Sequence, residues 1–145
     1  MRAVFVDTSA FVALIDRADR NHSAAKRCLR RLAHIRRPLV TSTYVIDETL
    51  TLIRMDLGHS TAVAFGNRLR ETRWCQVIEV GEATHASAWG ILVRYDDQLF
   101  SFTDCTSFAL MRAADIDTAF TFDRRDFSAA GFAVIPPAVT RIPRD

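Results

Sequence analysis

Ala3-Val4-Phe5-Val6-Asp7-Thr8-Ser9-Ala10-Phe11 is the stretch that decides the fold. It opens as an apolar run of strand formers, stops at a polar Asp-Thr-Ser turn, and continues with Ala10, Phe11, Leu14 and Ile15 at helical spacing. The reading is strand, tight turn, helix, and the rest of the chain repeats the alternation. A helix runs from Asn21, a good N-cap residue, through Ala24, Ala25, Cys28, Leu29 and Leu32, with Pro38 at or past its end. Leu39-Val40-Thr41 is a short strand, and Tyr44 to Leu57 a long helix closed by Gly58. Ser60 to Glu71 is helical and leads to a strand over Cys75-Gln76-Val77-Ile78-Glu79-Val80. Helices near Ala83 to Val93 and Thr103 to Ala114 precede strands at Ala119-Phe120-Thr121-Phe122 and Phe132-Ala133-Val134-Ile135. Five short strands separated by helices predict an α/β fold, a mostly parallel five-stranded sheet with helices on both faces. No linker, repeat or low-complexity segment interrupts it. A single domain over residues 1–145 is expected, with a core of about 2–136 and a short C-terminal tail.

Composition agrees. The 145 residues are 49% hydrophobic and 25% charged, the profile of an ordinary soluble domain. A chain of this length buries roughly 68–70% of its unfolded surface and needs no disulfide or structural metal to hold a core. Cys28, Cys75 and Cys105 are odd in number and widely spaced, so they read as small core residues rather than a disulfide framework or zinc ribbon. Asp7 and Asp16 interrupt the N-terminal apolar stretch, which argues against a signal peptide. The longest uncharged candidate for a membrane span, within Phe127 to Thr140, carries Gly131, Pro136 and Pro137. A cytoplasmic location is expected. Net charge is only +2, but of the 19 basic residues Lys26 alone is lysine. The arginine fork suits phosphate and carboxylate, although a GC-rich genome would favour arginine codons equally well.

Chemistry in an open parallel sheet gathers beyond the carboxyl ends of its strands. Asp7 follows the first strand directly and Asp123 the fourth. Taken singly, each is explained as a helix cap or turn residue. Glu48 is sharper, because Tyr44, Val45, Thr51, Leu52 and Met55 surround it at helical spacing, a mainly apolar stripe. A carboxylate on such a stripe must find a cation, a donor or a shifted pKa. Asp47, flanked by Thr43, Thr51 and Arg54, reads as solvated. Asp104 completes Ser101-Phe102-Thr103-Asp104, a capping-box pattern, with Phe108 and Met111 placing its side of the helix toward the core. Asp117 and Asp126 read as turn or cap residues, Asp126 being the better auxiliary acid. If such acids converge, they repel unless protonated or neutralised by a divalent cation. Magnesium or manganese suits an all-oxygen set, and His22, His34, His59 and His85 lack zinc-like spacing.

Together, Val6-Asp7-Thr8-Ser9-Ala10-Phe11, Thr43-Tyr44-Val45-Ile46-Asp47-Glu48, Phe100-Ser101-Phe102-Thr103-Asp104-Cys105-Thr106-Ser107-Phe108 and Phe120-Thr121-Phe122-Asp123-Arg124-Arg125-Asp126-Phe127 cover almost the whole chain. In this order they resemble the PIN-domain nucleases, and particularly the VapC-like ribonuclease toxins of toxin–antitoxin pairs. Cys105 departs from the alanine usual there, at nearly the same volume. The resemblance implies an acidic metal site of Asp7, Glu48, Asp104 and Asp123, with Asp7 and Asp104 as principal ligands. It also implies that Thr8, Ser9 and Thr121 orient that site. The activity implied is Mg²⁺- or Mn²⁺-dependent hydrolysis of RNA phosphodiester bonds, leaving a 5′-phosphate and a 3′-hydroxyl. A cognate antitoxin protein and a homodimer are the implied partners, and no membrane is involved. Arg124 and Arg125, beside Asp123, are candidate RNA contacts; Lys26, Arg27, Arg30, Arg31, Arg36 and Arg37 form a second basic cluster whose default reading is a solvated helix face.

Other classes fit less well. An aspartyl-nucleophile phosphatase wants a second aspartate where Ser9 stands, a receiver domain wants a lysine beyond a late strand, and a dinucleotide enzyme wants glycines after the first strand. The alternatives that remain open are a housekeeping PIN-domain RNA-processing nuclease and a catalytically weak module that binds RNA or protein.

Overall fold

The computed structural model describes residues 1–139. The C-terminal tail expected beyond residue 136 is thus covered only to Val139, and residues 140–145 lie outside the described part. In chain order the elements are β1 (Val4–Val6), α1 (Thr8–Ile15), α2 (His22–His34), β2 (Leu39–Ser42), α3 (Thr43–Leu57), α4 (His59–Thr72), β3 (Gln76–Ile78), α5 (Glu82–Arg94), α6 (Phe102–Ala113), β4 (Thr118–Phe120), α7 (Arg124–Ala129) and β5 (Ala133–Ile135).

The five strands form one sheet in the order β3-β2-β1-β4-β5, and every pairing is parallel. Val4 lies opposite Leu39 on one side and Thr118 on the other, so β1 is central. All three residues of β1 are fully buried, as are Ala119 and Phe120 of β4, which requires cover on both faces. Phe11 of α1 packs edge-on to Phe65 of α4 and to Trp74, with ring centroids 5.4 and 5.8 Å apart. Phe108 of α6 gathers a second aromatic cluster with Phe100, Phe127 and Phe132. Cys75 and Cys105 are buried and Cys28 half-buried; burial pushes the Cys75 thiol up to about 12, which leaves it an inert core residue.

Local signals explain most element ends. Gly58 holds φ +96°, a conformation costly for any residue with a Cβ, and its amide donates to the carbonyls of Ile53 and Arg54, closing α3. Three expectations need correction. Asn21 occupies the N-cap position of α2, but its side chain makes no capping bond. The strands beginning at Cys75 and Phe132 are shorter than expected, and β4 ends at Phe120, so Thr121 and Asp123 stand beyond the sheet. Arg124–Ala129 is a helix where the sequence suggested only turn residues. No helix among the described residues is long and apolar enough to cross a membrane.

Candidate metal centre

Because all the strands are parallel, their carboxyl ends share one edge, and the acids meet there. Asp7 leaves β1 and is only 5% exposed. It stands at the N-cap position of α1 without making a capping bond. Instead its Oδ2 accepts from Thr121 Oγ1 at 2.8 Å and Ser9 Oγ at 3.1 Å. Those hydroxyls also accept from backbone, Thr121 Oγ1 from the Asp123 amide and Ser9 Oγ from the Phe122 amide. The first and third residues of the opening turn, Asp7 and Ser9, thus bind the end of β1 to the segment after β4. Burial raises the Asp7 carboxyl above its ordinary pKa; the hydroxyls of Thr121 and Ser9 oppose the rise, and repulsion from Glu48 adds to it.

Asp104 caps α6 as its spacing predicts. Ser101 Oγ accepts from the Asp104 amide at 3.0 Å, and Asp104 Oδ2 accepts from the Ser101 amide at 3.1 Å. The same carboxyl is pushed up to about 7, by burial first and then by Asp7. Capping therefore fixes the residue without exhausting it. Asp123 is raised to about 6, by burial and then by Asp126. One oxygen each from Asp104, Asp123 and Asp126 lie within 4.8 Å of one another. Asp126, expected only as an auxiliary acid, stands in this tightest group; its D-x-x-D spacing from Asp123 across the first turn of α7 was the available signal.

A cleft of about 400 Å³ is lined by Asp7, Thr8, Ser9, Glu48, Asp104 and Asp123, and by Asp19 and Asn21 as well. Two larger clefts, of about 660 and 950 Å³, are lined without a single carboxylate. Glu48 reaches the acidic cleft from α3, but not from a buried apolar face. Its stripe is only partly buried: Val45 is fully buried, but Leu52 is 39% and Met55 77% exposed. The stripe is a cleft wall, and Asp47 faces solvent as expected. Asp19 and Asn21 carried no sequence signal. They arrive through the α1–α2 loop, where Asp16 and Asp19 each accept a backbone amide two residues on, and His22 Nδ1 lies 2.7 Å from the Ala13 carbonyl.

The donor set fits a hard divalent cation. It is all oxygen, its carboxyls resist ionising together, and added positive charge would relieve them. Thr8 Oγ1 is buried in the same cleft without a hydrogen-bond partner, which is costly unless a ligand or water satisfies it. Of the neighbouring cations, Arg124 donates through Nε and Nη2 to the Pro136 carbonyl and lies over the Phe122 ring. Arg125 is exposed.

A parallel five-stranded sheet with acids converging on its carboxyl edge defines a class, and a sequence model of the PIN domain matches residues 4–133: the chain belongs to the PIN-domain family. Within that family it is similar to the 23S rRNA-specific endonuclease VapC20 of Mycobacterium tuberculosis, 42% identical over 134 residues that span 92% of this chain and 98% of that protein. It is also similar to Ribonuclease VapC26 of the same organism, 31% identical across 92% of this chain and all of that one. The crystal structure of VapC20, described as a sarcin–ricin loop cleaving toxin, superposes with a TM-score of 0.80 over 90% of this chain and 97% of that one.

Proposed function

We propose that this chain is a metal-dependent endoribonuclease and the toxin of a toxin–antitoxin pair. The observation that carries the reading is the convergence of Asp7, Asp104 and Asp123, whose carboxyl pKa values are raised, with Asp126 beside them at the end of a parallel sheet. Asp7, Asp104 and Asp123 would hold Mg²⁺ or Mn²⁺, with Asp126 and Glu48 beside them. When bound, such an ion supplies neutralisation of phosphate charge and a more acidic water. The protein's own part is positioning. Thr121 and Ser9 orient Asp7, the Ser101 box orients Asp104, and Thr8 Oγ1 offers an unspent hydrogen bond to whatever enters the cleft. Arg125 is the nearby cation available to an RNA phosphate; Arg124 contributes by holding the segment after β4 against Pro136.

The antitoxin reading has a surface to match. The cleft between α1, α2 and α4 combines Phe11, Phe65 and Trp74 with Lys26, Arg30, Arg37 and Arg68, which suits a partner segment of mixed apolar and acidic character. A homodimer and a cytoplasmic location complete the proposal.

The direct test incubates the purified protein with ribosomal, transfer and messenger RNA and sequences new 5′-phosphate ends, beginning with the sarcin–ricin loop that VapC20 is described as cutting. Discrete ends that appear with Mg²⁺ or Mn²⁺ and vanish with EDTA support the reading. RNA left intact by either ion across that panel overturns it. Thr121→Val, which removes the strongest hydroxyl donor to Asp7, should lower kcat/KM on the order of tenfold or more and move the rising limb of the pH profile upward.

A further inference from the structure

From Arg20 to Ile46 the chain holds seven of its 19 lysines and arginines and no acid at all. Much of that charge is on α2, whose Lys26, Arg27, Arg30 and Arg31 are all exposed. Among the described residues the side-chain ion pairs are those of Arg2, so none of the four is paired. A codon bias toward arginine accounts for the type of cation but not for the missing acids. Lys26 with Arg30, and Arg27 with Arg31, are like charges four residues apart, which weakens a helix, whereas a merely solvated face gains from alternating signs. The helix dipole favours Arg31 in the last turn and does nothing for Lys26 and Arg27 further back.

The basic face starts at the acidic cleft. Asn21, at the N-cap position of α2, lines that cleft, and the helix runs from there to the opposite edge of the sheet, where the Pro38 carbonyl accepts from the Val4 amide at the start of β1. Arg31 is thus about 15 Å along the helix axis from Asn21. Lys26 and Arg30 line the cleft between α1, α2 and α4; Arg27 and Arg31 stand outside it. Charge keeps their face out of a two-fold homodimer, because such an interface sets one patch against its own copy and would oppose cation to cation.

We propose that Arg20, Arg27 and Arg31 form a phosphate track that holds the RNA backbone some nucleotides away from the scissile bond. This rests on the ribonuclease reading above. An acidic cleft attracts a phosphate only once a cation has entered it, so cations outside the cleft supply the first hold on the strand. Guanidinium groups on phosphate oxygens position a strand without reading its bases. The track therefore lowers KM for a long RNA whatever its sequence, and contributes nothing to a fragment that fills only the cleft.

Arg27→Gln combined with Arg31→Gln removes the charge at two exposed positions while keeping good helix formers there. In EDTA, which permits binding without cleavage, the anisotropy of labelled polyuridylate measured over a range of salt should show binding weakened on the order of tenfold at low salt. The slope of log Kd against log salt should fall by about 1.4, since each phosphate contact on a single strand contributes about 0.7. Arg54→Gln combined with Arg70→Gln, which takes the same charge from the cleft between α3 and α4, should leave the slope as it is. With metal ion present, the α2 variant should raise KM for a long cleaved RNA on the order of tenfold with kcat little changed, and its deficit should shrink as the RNA is shortened toward the cut. An unchanged slope in the α2 variant, or an equal fall in the control, overturns the track and leaves the ribonuclease reading standing. So does an α2 variant that keeps its affinity for RNA and loses binding of polyglutamate, which assigns the face to an acidic protein. A slope reduced in the α2 variant alone, in a protein that cuts no RNA, supports the track and overturns the ribonuclease reading instead.

Discussion

Asp104→Asn should reduce RNA cleavage on the order of a hundred- to a thousandfold, the scale seen when one group aimed at developing charge is removed. The fold should survive. Asparagine keeps a carbonyl oxygen that can accept from the Ser101 amide, so the capping box of α6 is retained while the charge is lost. Losing that charge also relieves repulsion with Asp7 and Asp123, and the variant should melt at a higher temperature than the wild type in EDTA at pH 8. Reduced activity with raised thermal stability separates a working acid from a structural one. A variant that still cuts at the wild-type rate removes Asp104 from the machinery.

The second large effect is in how stability follows pH. In the folded chain the Asp104 carboxyl is raised to about 7 and Asp123 to about 6, and Asp7 is raised as well. An unfolded aspartate titrates near about 3.9. Between those limits the folded state holds protons the unfolded state has released, so these groups make stability fall as pH rises from about 4 to about 7. Below that window both states are protonated and the penalty is absent; above it the penalty is complete. Thermal melts of the metal-free protein should therefore lose temperature from pH 5 to pH 8, and the loss should be smaller in Asp104→Asn. Saturating Mg²⁺ should stabilise most at pH 8, by about 2.7 kcal/mol when present at a hundredfold excess over its Kd. A metal-free melting temperature that rises over this range, more steeply in wild type than in Asp104→Asn, contradicts the charge arrangement.

What was legible in the sequence followed from short-range rules. Val4–Val6 and the turn at Asp7 announce themselves because strand formers, a polar break and helical spacing occur within a dozen residues. Gly58 and the Ser101–Asp104 box mark helix ends by the chemistry of single residues. The sheet order β3-β2-β1-β4-β5 was not legible, since it is decided by packing between distant segments. Helix α7 escaped because it has six residues and buries only Phe127, too little for a periodic pattern. Without that helix Asp126 reads only as an auxiliary acid, whereas a helical reading sets it beside Asp123.

Glu48 teaches a narrower lesson. Apolar neighbours at helical spacing suggested a buried carboxylate, yet Leu52 and Met55 face outward and the residue reaches the cleft along an open wall. Periodicity identifies a face; only tertiary packing says what covers it. Asp7 is the converse. Its sequence position allowed a helix cap, and the structure instead spends its Oδ2 on Ser9 and Thr121, which are 112 residues apart in the chain.

On the proposed reading these acids hold a divalent cation. Crystals of the full chain soaked in Mn²⁺ and measured at the manganese absorption edge test it directly. The expected result is an anomalous peak coordinated by carboxylate oxygens of Asp7, Asp104 and Asp123, absent from Asp104→Asn crystals treated alike. An empty cleft in crystals of protein that cleaves RNA with manganese, or a peak held only by residues elsewhere, would contradict it.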